Sequence, residues 1–221
     1  MIIAIDGPAG AGKSTVAREL SKKLNFKYVD TGAMYRAITF ELIKRKQEDS
    51  ADLEKVFKDI IESINIDFVD GNIILNGEIL SKELRTPIID RNVSKAASSG
   101  VVRAFLSVEQ RKLSIKSPNT VLEGRDTTTV VCPDAQVKIF LTASLEERAR
   151  RRHEELLKKN IKIGFEEVMS QIEKRDKSDM NRSIGPLMVA EDAVVIDSTA
   201  KDVHWVVNKI YEIVESKKNY T

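Results

Sequence analysis

Residues 7–14 read Gly-Pro-Ala-Gly-Ala-Gly-Lys-Ser, directly after the apolar run Ile2-Ile3-Ala4-Ile5 and directly before the helical pattern Val16, Ala17, Leu20, Leu24. No other stretch restricts the fold as tightly. A short apolar run closing on Asp-Gly-Pro reads as a buried parallel strand, so the unit is strand, glycine-rich loop, helix. The loop fits G-x-x-x-x-G-K-[ST] at every required position. Its glycines let backbone N–H groups turn inward on phosphate oxygens, and the following helix adds its positive end. Gly7, Pro8, Ala9, Gly10, Ala11, Gly12, Lys13, Ser14 and Thr15 are the expected ATP- or GTP-binding residues. Lys13 would reach the β- and γ-phosphates and the Ser14 hydroxyl would ligate Mg²⁺. A ligand-free glycine turn is the competing reading, and the strand–loop–helix context weighs against it.

The rest of the chain alternates strand and helix signals. Strands are expected at 27–30, 120–124, 136–143 and 193–197. Helices are expected from Asp30 or Thr31 onward, over 52–63, about 88–99 and 102–115, after Ser144, over 165–175 and over 202–217. Ser144 with Glu147 spells a capping box. Val203, Val206, Val207 and Ile210 place Trp205 on an ordinary packed helix, and the tail "ESKKNYT" reads as a fraying end. Alternation implies a doubly wound α/β domain with a parallel sheet. It is interrupted at 64–80, where Asp-Gly and Asn-Gly separate three β-rich segments and predict a small antiparallel insert. The expected organisation is one domain: a core of about 1–63 and 116–221, an insert of about 64–115, and a lid of about 148–164.

Bulk properties exclude several classes. A formal charge of +2 argues against a general nucleic-acid or anionic-membrane surface. The single Cys132 leaves no internal disulfide, and the start "MIIAIDG" lacks the basic region of a signal peptide. No apolar run approaches the ~18–20 residues of a membrane span. A cytoplasmic monomer is expected.

The loop alone does not say what receives the phosphate. A GTPase would need a base-reading Asn-Lys-x-Asp late in the chain, and "DKSD" at 176–179 lacks the preceding Asn or Thr. Short polar motifs at strand ends point to a second pocket. "DTGAMYR" carries Thr31 and Arg36, which also read as an ordinary cap and a surface arginine. "EGRDTTTVV" puts Arg125 and Asp126 at the carboxyl end of an apolar strand, where α/β proteins bind ligands. "KRDKSDMNR" carries Arg175, Asp179 and Arg182, either a solvated helix end or two arginines gripping phosphates with Asp179 accepting from a sugar or base.

Together these motifs resemble the bacterial cytidylate kinase family of P-loop nucleoside-monophosphate kinases. "IDGPAGAGKST", "YVDTGAMYRA", "GRD", "VVCPDAQVKIFLTAS" and "RDKSDMNR...PL" stand in that family's order over almost the whole chain. The adenylate-kinase signature "DGFPR" is absent. The resemblance implies a P-loop kinase fold with a five-stranded parallel sheet, the insert enlarging the monophosphate-binding region. It implies ATP and Mg²⁺ as donor and cofactor, and CMP or dCMP as acceptor. Thr31, Arg36, Ser98, Arg103, Arg125, Asp126, Arg175, Asp179 and Arg182 match substrate positions. Cytosine offers an N4 donor beside N3 and O2 acceptors, so Asp126, Arg103 and Ser98 would read the base. Arg36, Arg125 and Arg182 would hold its phosphate. Three places depart from the family's pattern: Glu123 for a common Asp, Thr128 for a common Gly, and a segment from Ser98 to Arg103 about one helical turn shorter.

Catalysis of this kind is positioning and charge neutralisation. Lys13, Arg125 and Arg182 are the expected catalytic groups, with Arg148 and Arg151 carried by a closing lid. A kinase for UMP or AMP, and a P-loop binding protein without an acceptor, are the competing readings.

Overall fold

The computed structural model describes residues 1–69, 71–117 and 119–218. Asp70 of the Asp-Gly turn, Pro118 and residues 219–221 of the tail lie outside the described residues. The chain forms two compact units, Met1–Phe26 with Asn119–Thr221, and Lys27–Pro118.

The first unit opens with β1 (Ile2–Asp6), then α1 (Lys13–Leu24); the second opens with β2 (Lys27–Asp30) and α2 (Thr31–Lys44). The second unit continues with α3 (Leu53–Ser63), β3 (Ile66–Val69), β4 (Asn72–Leu75), β5 (Glu78–Leu80), a 3-10 turn at Glu83–Arg85, α4 (Pro87–Ser98) and α5 (Gly100–Lys116). The chain returns to the first unit as β6 (Thr120–Glu123), a π-helical turn at Thr127–Val131, β7 (Val137–Thr142), α6 (Leu145–Lys158), α7 (Phe165–Met180), β8 (Val194–Asp197) and α8 (Val203–Lys218). The larger sheet has the strand order β2-β6-β1-β7-β8. β1 lies parallel to β6 (Ile3 opposite Val121) and to β7 (Ile5 opposite Ile139), and β8 lies parallel to β7. The centre of the sheet is covered on both faces, which is why β1 and β6 are continuous runs without polar alternation.

The expected antiparallel insert is present as the three-stranded sheet β3-β4-β5. Phe68, Ile73 and Leu75 are buried on one face while Asp67 and Val69 face outward, the alternation of a half-covered sheet. In α2 the cap is Asp30, whose Oδ1 accepts from the Ala33 N–H at 2.9 Å. Ser144 caps α6 by accepting from the Glu147 N–H at 3.2 Å.

Two local expectations change. α7 continues through Met180 instead of ending near 175. In α8, Val206, Val207, Ile210 and Val214 form the buried face, whereas Trp205 is 42% exposed with the Lys201 ammonium 5.0 Å from its ring. A step of one residue rotates a helical position by about 100°, so Trp205 stands on the flank of the packed stripe.

Candidate active site

The phosphate loop owes its path to two close approaches. A Cβ on Gly7 would lie 1.9 Å from the Leu141 carbonyl oxygen of β7, so only glycine lets the loop leave β1 beside that strand. Gly10 has φ +77° and a Cβ there would meet the Arg148 carbonyl oxygen of α6 at 2.9 Å. Gly12 caps α1 without a side chain. The first-turn amides of that helix, which have no intrahelical acceptor, therefore have no side-chain cap competing with an anion.

Lys13 is buried, its Nζ donating to the Pro8 carbonyl at 2.8 Å. Burial pushes its pKa from 10.5 down to about 7; Arg125 and Arg175 add to the fall, while Glu123 and Asp6 oppose it. With its pKa so depressed the lysine is only partly charged near neutral pH, and a bound anion would favour its cation. Ser14 Oγ donates to Glu123 Oε1 at 2.6 Å. These are two hard oxygen donors at the mouth of the loop, the type that holds Mg²⁺ when nucleotide phosphates supply further ligands, so the residues fit that ion.

The arginines expected from the sequence divide between the units. In the first, Arg125 Nε donates to Asp179 Oδ2 at 2.9 Å, and Arg182 lies 3.6 Å from Asp179 Oδ1. Burial disfavours the Arg125 cation, but Asp179 and Glu123 more than offset this and raise its pKa. Burial likewise pushes the Asp179 carboxyl up, yet Arg125, Arg175 and Arg182 hold it below the ordinary range. Lys13, Ser14, Glu123, Arg125, Arg175, Asp179 and Arg182 thus share one electrostatic neighbourhood. Asp126 is buried, its carbonyl accepting from Val130 and Val131 in the π-helical turn.

In the second unit, Thr31 is buried at the start of α2, its carbonyl 3.5 Å from Gln110 Nε2. Arg36 is held by the Leu84 carbonyl (3.0 Å) and by Asp90 of α4 (2.7 Å). Arg103 is fully buried, donating to the Ala97 carbonyl at 3.1 Å with its guanidinium 5.8 Å from the Tyr35 ring. Ser98 is exposed; its neighbour Ser99 is the buried cap of α5, and only that one residue separates α4 from α5.

Arg148 and Arg151 sit within the protein's own hydrogen bonds. Arg148 donates to the carbonyls of Ala143 (3.0 Å) and Ala9 (2.9 Å) and pairs with Asp176. Arg151 binds Glu147 at 2.8 Å and both the hydroxyl and the carbonyl of Ser198, at 3.0 and 2.6 Å.

Two carboxylates escaped the motif reading. Asp6, with no exposed surface, takes four donors: the N–H and hydroxyl of Thr127 at 3.0 and 2.6 Å, and those of Thr128 at 2.7 and 2.6 Å. Thr128 therefore supplies two bonds that pin the turn after Arg125 and Asp126. Asp176 accepts from the Ala9 N–H at 2.9 Å. A signal for it existed: Val168, Ile172, Asp176 and Asp179 are the buried residues of α7, so an acid continues the apolar stripe at helical spacing.

Known proteins match this chain over nearly its whole length. The family model for cytidylate kinase matches residues 3–216. A cytidylate kinase of Thermosipho africanus is 49% identical over 97% of this chain and 95% of its own length. One from Carboxydothermus hydrogenoformans is 48% identical over 99% of both. Among solved structures, an uncharacterized protein from Eubacterium ventriosum shares the fold with a TM-score of 0.55 at 14% identity, covering 98% of each chain. A phosphate loop with a buried lysine, a full-length family match and relatives near half identity converge: the chain belongs to the cytidylate kinase family of ATP-dependent nucleoside-monophosphate kinases.

Proposed function

We propose that the protein transfers the γ-phosphoryl group of ATP to the phosphate of CMP, and of dCMP, with Mg²⁺. The observation that carries the reading is the phosphate loop itself, with Lys13 Nζ buried on the Pro8 carbonyl and Ser14 bonded to Glu123, together with the pair of arginines, Arg125 and Arg182, gathered on Asp179. The acceptor oxygen is ionised at neutral pH, so the chemistry needs no general base. It needs two anions held together, and arginine forks suit phosphate oxygens.

Lys13 and the loop amides would bind the donor phosphates. Ser14 Oγ and Glu123 are the residues that would hold Mg²⁺, which when bound offsets phosphate charge. Arg125 and Arg182, oriented by Asp179, would hold the transferring group and the acceptor phosphate, with Arg175 adjoining. Arg36 and Thr31 are assigned to the acceptor phosphate, and Asp126, Arg103 and Ser98 to the cytosine edge, where a carboxylate accepts from N4 and meets repulsion from the O4 of uracil. Arg148 and Arg151 are assigned to supporting the loop, since their guanidinium groups hold backbone carbonyls around it. The test is ADP formation from ATP and Mg²⁺ with CMP, dCMP, UMP, AMP or GMP offered singly. Turnover that depends on a cytidylate supports the reading; ATP hydrolysis indifferent to every acceptor overturns it.

A further inference from the structure

The segment Lys174–Lys177 looks like a solvated run of charge, yet its acid points inward. Asp176 is buried, and its two oxygens do different things. Oδ1 accepts the backbone N–H of Ala9 at 2.9 Å, and Oδ2 pairs with Arg148. Arg148 in turn donates to the carbonyl of the same Ala9 at 2.9 Å. Both polar groups of one residue in the phosphate loop are therefore held by one buried ion pair spanning α6 and α7.

Apolar packing supports the same joint. Ala9 lies in a cluster with Ala149 and Leu156 of α6 and Val168 and Ile172 of α7. The Gly10 backbone approaches the Arg148 backbone so closely that a Cβ would not fit without a shift. The loop apex is thus a docked element. Its partner α7 also carries Arg175 and Asp179, one residue before and three after Asp176.

We propose that Asp176 is a positioning residue: it fixes the apex of the phosphate loop on α7, so that the donor loop and the arginine-bearing helix keep one register. This rests on the reading that the loop holds the donor phosphates and α7 serves the acceptor. A carboxylate is required because both of its neighbours are donors. Asparagine of the same shape has one accepting oxygen and one NH₂, so in either orientation a donor faces a donor. The loss falls on the loop, because the Val168 and Ile172 packing keeps α7 in place.

Asp176→Asn tests this with two readouts besides activity: calorimetric binding of ADP with Mg²⁺, and the separate KM values for ATP and CMP. A thermal melt confirms that the variant is folded. The expected result is ADP binding at least tenfold weaker, an ATP KM raised at least tenfold, a lower kcat, and a CMP KM within twofold of the parent. An unchanged ADP affinity, or equal losses toward ATP and CMP, overturns the proposal. A lower melting temperature with both KM values intact overturns it too, since that is what a purely structural acid would give. Arg148→Lys, which keeps the charge but cannot span the Ala9 and Ala143 carbonyls together with Asp176, is expected to weaken ADP in the same selective way. Should the parent turn over no acceptor, the kinase reading fails, and ADP binding alone still decides the role of Asp176.

Discussion

Lys13 shows how a single residue is tuned by its surroundings. With its pKa near 7 in the nucleotide-free protein, a substantial fraction is neutral above that pH. A bound polyphosphate raises the lysine's hold on its proton, so binding above about pH 7 must take a proton up, and affinity falls as pH rises toward 10.5. Calorimetry of ADP with Mg²⁺ at pH 8, in two buffers of different ionisation enthalpy, should register an uptake approaching one proton that Lys13→Met abolishes; equal heats in the two buffers would contradict the account. In the empty protein the unfolded chain holds more protons between those two pH values, so this group makes stability increase with pH across that window. The Asp6 clamp gives a second prediction at this scale. Thr128→Val removes one hydroxyl donated to a buried carboxylate and should cost about 1.5–3 kcal/mol in urea unfolding. Lys13 and Ser14 were legible because their motif is local. Asp6 and Asp176 were not, because their partners lie 121 and 167 residues away in sequence.

At the level of elements, periodicity did well where an element has one wet face and less well where polar groups are buried. The insert, α3 and α6 stand where alternation and capping signals put them. α7 runs past its expected end because Asp176 and Asp179 read as polar surface, whereas their charges are met by Arg148 and Arg125 from elsewhere in the chain. The α4–α5 junction teaches the same lesson. Ser99 Oγ accepts from the Val102 N–H at 3.2 Å and donates to Glu54 of α3 at 3.0 Å, so it is at once a cap and a tie between helices. Ser99→Ala should lower stability by about 1–2 kcal/mol in denaturant titration. The same change at exposed Ser98 should leave stability within about 0.5 kcal/mol, so any loss there would appear in the CMP KM.

For the whole molecule, alternation of strands and helices was enough to read a parallel α/β sheet with an antiparallel insert. It did not give the order β2-β6-β1-β7-β8, because strand order is decided by which helices cover which face and leaves no local mark. Nor did it mark the division at Phe26 and Asn119, which separates the donor-loop residues from Thr31, Arg36 and Arg103. At this scale stands the proposal that the acceptor is a cytosine nucleotide. Its most direct test is kcat/KM for CMP against UMP, with ATP and Mg²⁺ saturating. The account predicts a preference for CMP of at least ~100-fold, since a carboxylate facing O4 leaves buried polar groups unmatched; values for the two within threefold would contradict it.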